Sequence, residues 1–165
     1  MTDLEMMRPI PADRVGGGLV VTVDATPAEC EAIAKRLLIP SVQSVHCRWA
    51  LRPARGGVVE AEGSLTARLH QECVVSLDAF VVEMVEEFAV RFVPPGREGE
   101  PSEDPDEPDE LVMLNDSLEL GEATVEQLAL ALDPYPRKPG AVLPEEAGDA
   151  PVNPFAALAK WKPEE

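Results

Sequence analysis

Hydrophobic and polar positions along the chain change period several times, and each change predicts an element. Residues 16–24, G-G-G-L-V-V-T-V-D, are turn glycines followed by a β-rich run, which predicts a first strand. From Val45 the period is two. Val45, Cys47, Trp49 and Leu51 alternate with His46, Arg48, Ala50 and Arg52. Beyond the turn R-P-A-R-G-G, the residues Val59, Ala61, Gly63, Leu65, Ala67 and Leu69 alternate with Glu60, Glu62, Ser64, Thr66, Arg68 and His70, and the parity runs on through Cys73, Val75 and Leu77. Such alternation predicts antiparallel strands with one buried and one wet face. Phe80, Val82, Met84, Phe88, Val90 and Phe92 then hold the even positions, with Glu86 the exception, so one or two further strands precede Pro94. The short apolar run 111–114, L-V-M-L, fits a buried strand.

Two segments follow the helical period instead. Thr26-Pro27-Ala28-Glu29 supplies an N-cap Thr, Pro at the first helical position and Glu at the capping-box position. Cys30, Ile33, Ala34, Leu37 and Leu38 form its apolar stripe, and Pro40 lies just beyond. The second helix, 118–132, carries Val125, Leu128, Ala129 and Leu132 on one face and stops at D-P-Y-P. The expected fold is therefore α+β: a mainly antiparallel sheet of about five or six strands, open or barrel-like, packed by two helices. Residues 1–135 are expected to form one domain with an acidic, disordered insertion at 96–110. Residues 136–165 read as a Pro-rich tail ending in a short amphipathic segment, 153–162, with Asn153 as N-cap, Pro154 at the first position, and Phe155, Leu158 and Trp161 on its apolar side.

Charge narrows the range of functions. The chain of 165 residues has a formal net charge of −17, from 31 acids and 14 bases. Strong autonomous binding to nucleic acid needs clustered Lys and Arg, so this balance opposes it. The stretch 96–110 holds eight acids and one Arg and no apolar residue, which makes it a solvated segment that cannot bury anything. Between 41 and 71 the balance reverses. Arg48, Arg52, Arg55 and Arg68, with His46 and His70, meet only Glu60 and Glu62. Arg48, Arg52 and Arg68 share the polar parity with both histidines, so pairing the strands gathers them on one open face suited to phosphate. These six residues are the candidate RNA contacts. The apolar core is aliphatic, since aromatics are only 4% of the chain. No basic-then-apolar leader and no long apolar run occurs, so a cytoplasmic protein without a membrane partner is expected.

The remaining chemistry is sparse. Three cysteines give an odd count that argues against a disulfide framework. His46 adjoins Cys47, and His70 stands three residues before Cys73, but regular strands send the members of each pair to opposite faces. That geometry forms neither a zinc site nor a nucleophile with its base. No phosphate loop, nucleophile elbow or dinucleotide fingerprint is present. No cofactor, metal or small-molecule substrate is expected, and the chain reads as non-catalytic.

Four stretches carry a family resemblance. V-H-C-R-W-A-L-R-P, R-L-H-Q-E-C-V-V-S-L-D-A-F, L-E-L-G-E-A-T-V-E-Q-L-A-L-A-L-D-P-Y-P-R-K-P-G-A and N-P-F-A-A-L-A-K-W-K stand in this order with an acidic loop between them, and they cover most of residues 42–161. In this arrangement the chain resembles the YceD family, the large ribosomal RNA subunit accumulation proteins of bacteria and plastids. The resemblance implies a non-catalytic factor for accumulation of 23S ribosomal RNA in large-subunit assembly, with precursor 23S RNA or a large-subunit ribosomal protein as partner. Relatives often carry a C-x-R-C-L-type segment and, in some branches, a further cysteine pair near the C-terminus. Here Cys73 alone stands at the first place and the pair is absent, so no metal role carries over. The alternative is an adaptor unrelated to ribosomes that docks through Asn153, Pro154, Phe155, Leu158 and Trp161.

Overall fold

In the computed structural model, residues 5–99 and 108–142 are described. Strand β1 (Pro9–Pro11) is followed by a 3-10 turn, strand β2 (Leu19–Asp24) and helix α1 (Pro27–Arg36). Three long strands come next: β3 (Ser41–Pro53), β4 (Val59–Glu72) and β5 (Ala79–Val93). The chain continues through β6 (Asp109–Val112) and β7 (Ser117–Glu119) into helix α2 (Leu120–Ala131). The main sheet has the order β2-β3-β4-β5-β6, and β1 pairs with β7 in a separate two-stranded ribbon. The α+β expectation is met, but the sheet is open, with β2 and β6 as edges, so the barrel-like variant is excluded. Its pairs are antiparallel except β5–β6. A parallel neighbour needs a connection of about a dozen residues or more. Residues 94–108, including most of the acidic stretch, supply that length. Asp109 and Glu110, assigned above to the insertion, are strand residues of β6; residues 100–107 of that insertion lie outside the described residues.

Helix α1 forms as its N-terminal signal dictates. The Glu29 N–H donates to Thr26 Oγ1 at 3.3 Å and the Thr26 N–H to Glu29 Oε2 at 2.7 Å, the reciprocal capping box. Cys30, Ile33 and Ala34 are buried. Leu38, expected on the same stripe, is 91% exposed. Its φ of 54° places it past the helix end in the left-handed region. There the Leu38 N–H bonds Lys35 O and the Ile39 N–H bonds Ala34 O, a Schellman stop that turns the leucine outward and Ile39 inward. Two further expectations fail at chain reversals. The alternation beyond Cys73 is a turn rather than strand, with Leu77 at φ 59° and 70% exposed. The second helix starts at Leu120, because Leu118 and Glu119 belong to β7, and Ala129 points to solvent. A two-residue turn, Asn115-Asp116 with both φ near +50°, is closed by the isolated bridge Leu114–Ser117 and leads the chain from β6 to β7 in the other sheet.

The core is organised by one row across the sheet, Trp49 in β3, Gly63 in β4 and Phe88 in β5. Strands two places apart are about 9.6 Å distant. With no side chain on Gly63, the Phe88 ring reaches over β4 and meets Trp49 edge-to-face at 5.0 Å between centroids. A Cβ on Gly63 would lie 2.2 Å from that ring. Trp49 has no exposed surface, and its indole N–H donates to Thr124 Oγ1 of α2 at 3.1 Å. The same hydroxyl donates to the Leu120 carbonyl at 2.7 Å, so every polar atom of this contact is satisfied. The N-terminal segment crosses the start of α2 at Gly121, where a Cβ would collide with the Met6 carbonyl at 2.3 Å. Arg8 binds Glu29 through both guanidinium nitrogens at 2.8 and 2.9 Å, tying the segment before β1 to α1.

Two stability predictions arise here. Thr124→Val keeps the volume but leaves the Trp49 N–H buried without an acceptor, so urea unfolding should show a loss of about 1–3 kcal/mol. Hydrogen bonds from Arg8, against opposing desolvation, hold the Glu29 carboxyl at about 2. A depressed carboxylate stabilises the fold above the ordinary carboxyl range, and its contribution is lost as pH falls from about 4.5 through about 2. Glu29→Gln should therefore cost about 1 kcal/mol at neutral pH after solvent screening. The gap between variant and parent should close on acidification across that window.

Candidate nucleic-acid interface on the open sheet face

The pleat brings five of the six candidate residues to one face. His46, Arg48 and Arg52 of β3 and Arg68 and His70 of β4 share the parity opposite to the buried Cys47, Trp49, Leu51, Leu65 and Leu69. Arg55 lies apart from the paired strands, in the exposed 3-10 turn Arg55–Gly57 that joins them. Register then sets the neighbours. Arg48 stands between Thr22 of β2 and Ser64 of β4, and His46 between Asp24 and Thr66. Arg52 faces Glu60, whose other neighbour is Arg91 of β5. Arg68 lies between Ser44 and Glu83, and His70 between Ser41 and Val81.

This pairing changes the charge of the face. The stretch 41–71 is locally basic in sequence, but β2 and β5 bring in Asp24, Glu83 and Glu87. Arg68 pairs with Glu83 at 3.1 Å and Arg52 more loosely with Glu62 at 3.7 Å. His46 Nδ1 lies 2.6 Å from Asp24, and Ser41 Oγ lies 2.8 Å from His70 Nδ1. Arg91 pairs with Glu110 of β6 at 3.3 Å. Exposed pairs of this kind contribute little stability, but they do neutralise the arginines as phosphate donors. Arg48 differs. It is exposed, its row neighbours on β2 and β4 carry hydroxyls, and no carboxylate of the described residues lies within 4 Å of its guanidinium. The Ser64 hydroxyl beside it donates to Glu87 at 2.5 Å, which keeps that carboxylate engaged. Asp24, Glu83 and Glu87 were recognisable as wet-face residues by parity, but nothing local to them indicated which strands lie next to each other.

The cysteines are separated as the alternation requires. Cys30 and Cys47 are core residues whose thiols burial pushes up, Cys47 to about 11. Cys73 follows the last residue of β4 at the start of the turn. The Ser76 hydroxyl, ahead of opposing desolvation and with help from the N–H groups of Ser76, Lys138 and Val75, holds its thiol down at about 7. The residue has no exposed surface, so the turn both covers the sulfur and stabilises its anion. Among the described residues no group of three or more His, Cys, Asp or Glu is placed to hold a metal ion. The surface grooves are shallow in chemistry. One of about 310 Å³ runs between α1 and the start of β3, and another of about 600 Å³ lies by the Asn115-Asp116 turn. Neither contains a histidine or cysteine. Asn153, Pro154, Phe155, Leu158 and Trp161, the candidate docking residues, lie outside the described residues.

Ser76→Ala removes the largest of the influences on Cys73, so its thiolate should appear at higher pH, toward the ordinary cysteine value of about 8.5. An ultraviolet thiolate titration of the variant beside the parent would read the shift.

A family model described as "Large ribosomal RNA subunit accumulation protein YceD" matches residues 61–162, more than half of the chain. The match covers most of β4 and all of β5, β6, β7 and α2. The segment V-H-C-R-W-A-L-R-P of β3 stands before it. No curated protein and no solved structure matches the chain.

Proposed function

Because the chain belongs to the YceD family, we propose that it is a non-catalytic factor of large-subunit biogenesis that supports accumulation or processing of 23S ribosomal RNA. The family match carries this reading. The open sheet face adds a place for the contact: Arg48, flanked by the hydroxyls of Thr22 and Ser64, is the residue best disposed to a phosphate. His46, Arg52, Arg68 and His70 surround it, and Arg55 is exposed in the turn beyond the paired ends of the strands. With a net charge of −17 and carboxylates interleaved among the arginines, the protein is better suited to RNA already held in a particle than to free RNA. A basic large-subunit ribosomal protein is the natural second partner. Among the described residues no helix is long and apolar enough to cross a membrane. The reading places the protein in the compartment where ribosomes are assembled, the cytoplasm in a bacterium.

Depleting the protein should lower 23S RNA and reduce the large-subunit peak in sedimentation profiles; unchanged levels would overturn the assignment. For the site, Arg48→Glu should lower the salt dependence of association with precursor 23S particles by a slope of about 1, the loss of one phosphate contact. Arg68→Glu, whose parent side chain is already paired with Glu83, should change it less.

A further inference from the structure

The inner face of the sheet is covered unevenly. In β4, Gly63, Leu65, Ala67, Leu69 and Gln71 are all buried. Their register partners in β5 are Phe88, Glu86, Met84, Val82 and Phe80. Of these, Glu86 is exposed and the four apolar side chains are only half-buried. The reason is the placement of the helices, for α1 packs on β3 while α2 packs on β4 and β1. Phe88 is occupied by Trp49, so Phe80, Val82 and Met84, the last two packed against the core along one side, are left as a partly covered strip beside one carboxylate. Leu77, in the turn that precedes β5, and Tyr135, past the end of α2, are exposed by 70% and 72%.

After α2 the chain returns to the turn that precedes β5. Gln71 Nε2 donates to the Asp133 carbonyl at 3.0 Å, the Val74 N–H donates to the Pro136 carbonyl at 2.9 Å, and Lys138 pairs with Asp78 at 3.3 Å. The described chain therefore ends at Val142, four residues past an anchor on the turn that opens β5. Residues 143–152 span at most about 36 Å when extended. Phe80 to Met84 is about 13 Å along the strand. Residues 153–162 read N-P-F-A-A-L-A-K-W-K, with Phe155, Leu158 and Trp161 at helical spacing and Lys160 and Lys162 as cations. As a helix that segment is about 15 Å long, close to the length of the apolar strip.

We propose that residues 153–162 dock in cis on the half-covered inner face of β5, with Phe155, Leu158 and Trp161 on Phe80, Val82 and Met84 and a lysine facing Glu86. The reach of the linker and the position of its anchor favour the chain's own segment over a second copy. A tether of this length presents it at an effective concentration near millimolar. Apolar side chains at i, i+3 and i+6 suit a strip of this kind as they suit any groove for an amphipathic helix. This inference stands apart from the ribosomal reading and is tested on the isolated chain.

The two tryptophans allow a direct test. Trp49 has no exposed surface, so the emission difference between the full chain and Trp161→Phe isolates Trp161. Docking predicts that Trp161 is shielded from a soluble quencher, that the shielding is unchanged on dilution, and that Met84→Glu and Phe155→Asp each abolish it. In the same full-length samples, hydrogen exchange should show about tenfold or greater protection of amides 155–162, lost in both variants. Phe155→Asp changes only the tail and leaves the Trp49 emission as a check of the fold. A Trp161 open to the quencher in the parent chain would overturn the proposal. Shielding that vanishes on dilution would assign the strip to a second copy, and shielding that survives Met84→Glu would place the segment elsewhere; either result sinks docking in cis on β5.

Discussion

The edge-to-face contact of Trp49 with Phe88 over Gly63 is the constraint around which the sheet and helix α2 are assembled. It requires β3, β4 and β5 to hold one register, because a slip of one residue in any strand would turn one of the three to the wet face. It also fixes α2. The indole N–H inside an aliphatic core must find an acceptor, and Thr124 supplies it only when the helix lies over that row. Met6 and Arg8 then lock the N-terminal segment across the start of α2 and onto α1. A few polar contacts therefore orient layers that aliphatic burial alone would hold together without a unique alignment.

The opposite face follows from the same register. Once β3 and β4 are aligned by Trp49 and Gly63, the arginines of both strands must share the outer surface, and the next strands must supply their neighbours. Those neighbours turn out to be Asp24, Glu83 and Glu87, so the surface becomes a mixed lattice of charges with Arg48 set among hydroxyls. Exposed pairs of this kind leave most of the arginines neutralised and single out Arg48 as the cation of this face without a carboxylate neighbour among the described residues.

Much of the architecture could be read from local chemistry. Thr26, Pro27 and Glu29 announce α1 because capping involves only neighbouring residues. The period-two runs announce β3, β4 and β5 because side chains alternate wherever a strand has one buried face. Cys47 and Cys73 were assignable to the buried side on the same ground. Local chemistry was misleading at reversals. Leu38 and Leu77 continue an apolar pattern but sit in left-handed turns, since the backbone bonds that end the element override the side-chain preference. The ribbon of β1 and β7 had no signal, for three-residue strands show no periodicity.

What the sequence by itself determined, then, is which side chains of the regular strands β3, β4 and β5 share a face and where helix α1 begins, because each depends on residues within one or two turns of chain. Only the tertiary structure decided which strands are neighbours, that β6 runs parallel to β5, and which carboxylate meets which arginine. Those facts rest on pairings between residues many positions apart, such as Arg68 with Glu83 and Trp49 with Thr124. Periodicity assigns a side chain to a face of a strand. It carries no information about the identity of the strand beside it, and the charge of this surface is a property of the pairing.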